Sequence, residues 1–285
     1  MSAASAFSRG QKQEILAYGS ACQGDARAWR DGMLEIIAPH YKQKHAAILA
    51  SIQAGTSTQL SSESLAKLVT QVIQLLANAA QLYCKRHQKS HPIGIVALGG
   101  FGRGVLAPYS DIDITIITNN QHSKFVQSFV ELLIPCLWDL GLKVGQSLFT
   151  HKSWAVLAGE DHRVLTSFLT RRWLWGDRSL QPKIEKVFQT QILKNISESQ
   201  FFQTKLLEYE TRHEKMGNSL YLLEPNLKEG CGGLRDLHFI AWIAAYMYRA
   251  TSVTEMVQCG LLDEGQARQY RRAQAHLTKL RVWLH

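Results

Sequence analysis

The sequence predicts an α+β or α/β fold, with a small mixed sheet in the middle of the chain and helical regions on both sides. Three observations predict it. Apolar residues recur at helical spacing up to about Gln88. From His91-Pro92 the pattern switches to short β-branched runs punctuated by glycine. From about Ser153 the helical patterns return. These shifts divide the chain into an N-terminal helical region (1–89), a sheet-bearing core (90–180) and a C-terminal helical region (181–285).

In the first region, Leu65, Leu68, Val69, Val72, Ile73, Leu75 and Leu76 repeat on one helical face. The serines before them read as caps, and the small polar segment from Gly55 to Ser62 reads as a loop between helices. Ile93-Gly94-Ile95-Val96-Ala97-Leu98 has the composition of a buried strand. It runs into Gly99-Gly100-Phe101-Gly102-Arg103-Gly104, a loop. Asp111 to Thr118 largely alternates polar with apolar residues, which predicts a strand with one buried face, ended by Asn119-Asn120. Phe125 to Leu140 reads as a helix closed by Gly141, and Leu142 to Thr150 as a third strand. Beyond Ser153 two loops interrupt the helices, one around Gly176-Asp177 and one from Gly217 to Gly233.

Composition excludes several classes. Hydrophobic residues make up 46% and charged residues 19% of the 285, ample for a core. The longest apolar run, Phe239 to Met247, is far below the ~20 residues of a membrane span. No basic segment leads into an apolar one at the N-terminus, so no signal peptide is expected and the chain reads as cytoplasmic. The five cysteines are scattered without a CxxC pair, which argues against disulfides and structural zinc. The net charge of +9 favours an anionic ligand. There is no Cys/His finger, no aromatic RNA-binding strand and no long basic run, so nucleic acid is not expected as a partner. Arg171–Arg172 and Arg268, Arg271 and Arg272 read as solvated helix faces or domain contacts.

The chemistry concentrates in residues 99–117, GGFGRGVLAPYSDIDITII. Glycines remove side chains where backbone must turn tightly or approach a ligand, and the exposed amides of such a loop suit phosphate oxygens. Neither the Walker pattern nor the dinucleotide-fold pattern fits, since no GK[ST] follows and the acids arrive too soon. Asp111 and Asp113 stand at i and i+2, so on a strand their carboxylates share one face. Like charges at that range repel unless a cation neutralises them. Magnesium binds carboxylate oxygens together with substrate phosphates. Ile112, Ile114 and Ile116 would bury the opposite face and hold the acids in place.

At these residues the sequence resembles the polymerase β-like nucleotidyltransferase superfamily, marked by a strand, a glycine loop and DxD. The longer GGFGRGVLAPYSDIDI resembles the [protein-PII] uridylyltransferase family. So does Leu223-Glu224-Pro225-Asn226-Leu227-Lys228-Glu229-Gly230-Cys231-Gly232-Gly233-Leu234-Arg235-Asp236-Leu237 downstream. Leu142 to Ser147 and Trp175-Gly176-Asp177 carry weaker signatures. The resemblance implies a nucleotidyltransferase core that moves UMP from UTP to a tyrosine of a PII-type signal protein, releasing pyrophosphate. It implies that Asp111 and Asp113 ligate magnesium, or manganese in its place. Gly99, Gly100 and Ser110 would cradle the triphosphate, with Gly102 and Arg103 in the same nucleotide-binding loop. Lys228 and Arg235 would be charge partners of nucleotide or acceptor; the alternative is a helix-start loop in which Arg235 and Asp236 pair.

Two positions depart from the family pattern. Gln146 stands where it tends to have His, and Thr170 where it commonly has Glu. The superfamily's third carboxylate has no counterpart in residues 142–150, and Glu160, Asp161 and Asp177 are not placed by the sequence. A different nucleotide or acceptor, or a catalytically degenerate regulatory module, therefore stays open. Family members continue into a metal-dependent phosphohydrolase domain and glutamine-sensing domains, for which 285 residues leave no room.

Overall fold

The structure, a computed structural model, describes residues 7–23, 25–55, 58–217 and 226–284, the side chains of 58–60 excepted. It divides into two compact units, Met1–Trp154 with Arg171–Lys186, and Ala155–Thr170 with Val187–His285.

The first unit opens with α1 (Arg9–Ala21), α2 (Ala26–Gln53) and α3 (Thr58–His87). Ser8 and Gln11 cap α1 reciprocally, and Asp25 caps α2 by accepting from Ala28 N. α3 begins before Ser61 and Ser62, so these are not the expected caps. Ser62 lies inside the helix, where its Oγ donates to Leu106 O at 2.8 Å while Leu106 N donates back to Ser62 O at 3.3 Å. Tertiary bonding has taken over a residue whose type favours helix ends.

The sheet has the order β3-β2-β1-β4, with β1 at Ile93–Ala97, β2 at Ile112–Thr118, β3 at Val144–Thr150 and β4 at Arg172–Gly176. β1 runs antiparallel to β2 and β4, and β2 parallel to β3, so the sheet is mixed as expected. A one-turn helix, α4 (Gly99–Gly102), replaces the expected loop, and α5 (Lys124–Asp139) crosses from β2 to β3. Gly141 at φ 81 follows the C-cap Leu140 and turns the chain into β3. β4 corrects the expectation of continuous helix after Ser153. Its aromatics are used in the core: the Trp175 ring stacks on Phe129 of α5 at 5.3 Å, and its Nε1 donates to Asn78 Oδ1 at 2.8 Å.

The core of this unit lies between the sheet and α3 and α5, with Ile95, Ile114, Ile116, Val72, Ile73, Leu76, Phe129 and Leu133 all essentially inaccessible. The register Ile95↔Ile116 and Ala97↔Ile114 brings the apolar side chains of β1 and β2 onto one face.

α6 (His151–Glu160) and α8 (Leu180–Val187) each straddle the boundary between the units. The second unit is otherwise α7 (His162–Leu169), a π-helical turn at Phe188–Ile192, α9 (Leu193–Asn195), α10 (Glu198–Lys215), α11 (Leu234–Met247), α12 (Val253–Gln258) and α13 (Glu264–Leu284). Phe201 stacks on Tyr246 at 3.9 Å and Phe188 meets Tyr246 edge-on, while the Tyr246 hydroxyl donates to Ile196 O. Lys205 is buried beneath the Trp242 ring and donates to both Glu208 oxygens at 2.9 and 2.8 Å.

Among the described residues no helix is long and apolar enough to cross a membrane. All five cysteines are free.

Candidate active site

The polar end of the sheet is assembled by backbone bonds. Leu98 N donates to Asp113 O at 2.9 Å, which ties the exit of β1 to β2. The chain then turns at once, because Gly99 adopts φ 56, a region that penalises a side chain. Gly102 N reaches Leu98 O and Arg103 N reaches Gly99 O, closing the single turn of α4. The first amides of any helix have no intrahelical acceptor, so α4 presents donors at the sheet end. Phe101, 1% exposed, pins the turn from inside.

Arg172 at the start of β4 braces the same turn. Its Nη2 donates to Phe101 O at 3.0 Å and to Thr70 Oγ1 at 3.3 Å, and its guanidinium lies over the Phe101 ring at 5.2 Å. Burial pulls its pKa down from the usual arginine value. The sequence suggested a solvated helix face or a domain contact for this arginine; it belongs to a strand and its charge is spent inward. Arg171 beside it pairs with Glu185 at 3.0 Å.

The carboxylates lie next to α4. Ile112 is 2% exposed, while Asp111 and Asp113 on either side of it are exposed, so the two acids share the face opposite the core. Asp111 sits one residue ahead of β2 rather than inside it. Asp113 is held between two glycines. A Cβ placed on Gly99 would lie 3.3 Å from Asp113 Oδ2, and one on Gly145 would lie 2.9 Å from Asp113 Oδ1. Gly145 is the register partner of Asp113 across the parallel β2–β3 ladder, so a side chain there would project beside the carboxylate. One step on, Thr115 Oγ1 and Ser147 Oγ form a hydrogen bond of 2.7 Å on the same face.

The approach to Asp111 is a tight turn. Ser110 N and Ser110 Oγ both donate to Ala107 O, at 3.2 and 2.8 Å. Pro108 pre-sets the first corner, and Tyr109 takes φ 57 at the second, where a non-glycine residue costs about 1–2 kcal/mol. Tyr109 is 63% exposed.

The donor set suits magnesium in number and kind. Two exposed carboxylates on one strand face, set beside helix-start amides, with Asp113 closely approached by Gly99 and Gly145, match an ion held by one or two acids and completed by substrate phosphates. Among the described residues no cluster of three or more His, Cys, Asp and Glu could hold a metal by itself. Asp177 is no third ligand: its amide bonds Ile93 O at the opposite end of β1, and its Oδ1 accepts from Ser179 N. Asp161 lies in the second unit, where it caps α7 and accepts from Arg163 N and Nη2.

Gly99, Gly100, Gly102, Arg103, Ser110, Asp111 and Asp113 thus all fall in the first unit, around the junction of β1, α4 and β2. Lys228 and Arg235 fall in the second. Leu223, Glu224 and Pro225 of the downstream motif lie outside the described residues. From Asn226 onward the motif is a self-bonded loop. Asn226 Oδ1 accepts from Lys228 N and Glu229 N, and Arg235 N donates to Lys228 O. Its glycines serve this packing: a Cβ on Gly230 would lie 2.7 Å from Asn226 O, and one on Gly233 2.8 Å from Gly230 O. Arg235 is bidentate to Glu229, at 2.9 and 3.3 Å. Asp236 instead takes Arg212 Nη2 at 2.6 Å, His213 Nε2 at 3.0 Å and Gly232 N at 2.8 Å, so the pairing of Arg235 with Asp236 is not formed. Burial raises the Glu229 pKa, but the hydrogen bond and charge of Arg235, with Lys228 and Arg212, outweigh it and hold the carboxyl below its usual range. Lys228 touches Glu229 only at 3.9 Å and is 46% exposed.

Sequence reasoning missed Gly145, Arg172 and the Thr115–Ser147 pair. A signal existed for the first, since a glycine inside a strand often marks the close approach of another group. The bracing role of Arg172 had no signal, because it depends on the antiparallel pairing of β4 with β1.

Residues 79–163 match the family model described as nucleotidyltransferase domain. Residues 200–285 match that described as GlnD PII-uridylyltransferase. The bifunctional uridylyltransferase/uridylyl-removing enzyme of Erythrobacter litoralis is 39% identical over 221 residues, covering 76% of this chain and 24% of that protein. Its namesake from Novosphingobium aromaticivorans is 40% identical over 193 residues, covering 68% and 21%. That of Bradyrhizobium diazoefficiens is 34% identical over 270 residues, covering 92% and 28%. The chain therefore spans about a quarter of the length of these curated relatives.

Proposed function

We propose that this chain, a member of the PII-uridylyltransferase family through its nucleotidyltransferase domain, transfers UMP from UTP to a tyrosine hydroxyl of a PII-type signal protein. The observation that supports it most is the placement of the Asp113 carboxylate between Gly99 and Gly145, with Asp111 exposed on the same face.

In this reading the amides of Gly99 and Gly100 and the hydroxyl of Ser110 line the triphosphate's path, with Gly102 and Arg103 completing the loop. Asp111 and Asp113 present their oxygens beside it. A magnesium ion held by these two acids and the substrate phosphates would neutralise charge that builds up as the reaction proceeds. The tyrosine hydroxyl gives up its proton to water, its oxygen bonds to the α-phosphorus, and the bond to pyrophosphate breaks, pyrophosphate leaving with the electron pair. The chain contributes mainly positioning: the core-facing isoleucines of β2 and the two flanking glycines restrict where the Asp113 carboxylate can go. Lys228 and Arg235 serve as charge partners of nucleotide or acceptor, Lys228 being the less engaged of the two.

One observation favours a second reading. Among the described residues no third carboxylate joins Asp111 and Asp113, as in a domain that binds nucleotide and regulates without turnover. Incubation with labelled ATP, CTP, GTP and UTP, magnesium and a PII-type acceptor separates the two. The proposal expects magnesium-dependent pyrophosphate release and label transfer with UTP above the other three. Preference for ATP would remove the uridylyl assignment, and binding without pyrophosphate release would favour the regulatory module.

A further inference from the structure

The start of β2 has a second side. Asp111 and Asp113 project from one face, while Ile112 faces the other, where it helps to enclose a cavity of about 370 Å³. The cavity lies wholly within the first unit, between α2, α3, the turn before Asp111 and the segment joining α5 to β3. Leu65, Val69, Ile112 and Leu142 give it a buried apolar floor. Lys42 and His45 stand on one wall and Lys143 on another, and among the described residues no aspartate or glutamate lines it. Its volume falls in the range of small-molecule sites, which are mostly apolar with a few convergent polar groups that fix orientation.

We propose that this cavity is a binding site for a small organic anion, with an aromatic or aliphatic body on the apolar floor and a single phosphate or carboxylate head between Lys42 and Lys143. The inference goes beyond the transfer reaction and does not depend on it. A one-signed set of charges above an apolar floor selects an amphiphilic anion over a neutral ligand or a cation. Burial pushes the Tyr41 phenol up to about 12 and pulls His45 down, so both meet the ligand as neutral groups that can donate hydrogen bonds. The occupant would also touch Pro108, Tyr109 and Ser110, the turn from which Asp111 hangs. Filling the cavity therefore restrains the approach to the carboxylates from behind.

Isothermal titration of the full chain with phenyl phosphate, benzoate and benzyl alcohol tests this. The expected result is saturable 1:1 binding of at least one of the two anions, with the preferred head group identifying the class. Benzyl alcohol should bind at least about tenfold more weakly than that anion, and the exposed double variant Lys42→Gln/Lys143→Gln should lose about tenfold or more while its circular dichroism is unchanged. Asp113→Asn should bind the probe within about twofold of the parent, because that acid faces away from the cavity. Absence of saturation by both anions, equal binding of benzyl alcohol, or full affinity in the double variant would each overturn the assignment. Loss of binding in Asp113→Asn would also overturn it, by moving the probe to the carboxylate face.

Discussion

Gly145→Ala separates positioning from stability. Gly145 lies inside β3 with its side-chain direction open except toward Asp113, and its backbone is in ordinary extended territory. Alanine there should stabilise the fold slightly, by about 0.5–1 kcal/mol, because it lowers the entropy of the unfolded chain. The methyl, however, would stand 2.9 Å from Asp113 Oδ1, where ordinary contact begins at 3.4 Å. The carboxylate has to give way by about 0.5 Å, and a short side chain can do that only by rotating away from its present position. Since a misplacement of ~1 Å can cost ~100-fold in rate, half of it should cost ~10-fold, or ~1.4 kcal/mol of transition-state stabilisation. Pyrophosphate release with UTP, magnesium and a PII-type acceptor should show kcat reduced to that extent, while the melting temperature holds or rises by up to ~3 °C. Gly159→Ala in α6, with nothing within 4 Å of its new methyl, is the control and should change stability alone. Unchanged kcat in Gly145→Ala would refute the idea that the position of Asp113 is set by its glycine neighbours.

Two further substitutions probe the supports in each unit. Arg172→Met removes the donor to Phe101 O and Thr70 Oγ1 and should destabilise by about 1.5–3 kcal/mol in urea titration; a change under ~0.5 kcal/mol would show that α4 needs no brace. Lys205 has a side chain only 1% exposed, and burial lowers its pKa against the smaller upward pull of Glu208. Between that lowered value and the ordinary lysine value near ~10.4, the unfolded chain holds more protons than the folded one, so stability rises with pH. Lys205→Met should abolish this rise and be neutral or mildly stabilising at pH 7. Parallel denaturant titrations at pH 7 and about 9.5 check it, and a parent that loses ground to the variant as pH rises would contradict the sign.

Much of the fold was legible because its elements carry local patterns. β1 is a short β-branched run between Pro92 and Gly99, α5 ends on Gly141, and β2 was placed by its largely alternating pattern, although from Ile114 to Thr118 both of its faces are buried rather than the one expected. β4 was not legible. Arg172-Trp173-Leu174-Trp175-Gly176 is five residues of aromatic and charged character at a sheet edge, and it becomes a strand only because β1 offers an unpaired side. The start of α3 was misread for a related reason: Ser61 and Ser62 look like caps locally, but Leu106, distant in sequence, claims Ser62. At the candidate site, the shared face of Asp111 and Asp113 follows from the period of a strand alone. What the period could not supply was the neighbour across the ladder. Gly145 is 32 residues from Asp113 in sequence and meets it only through the parallel register. The same holds for the downstream motif, where both Glu229 and Asp236 could have taken Arg235, and the loop geometry decided for Glu229.

The most direct test of the central claim is steady-state turnover of Asp111→Asn and Asp113→Asn with UTP, magnesium and a PII-type acceptor, alongside UTP binding without metal. Each substitution keeps the side chain's size and removes its charge. The account predicts kcat lower by at least ~100-fold in both variants, about 3 kcal/mol or more, with metal-free UTP affinity far less changed. Near-parental turnover in either variant would contradict it.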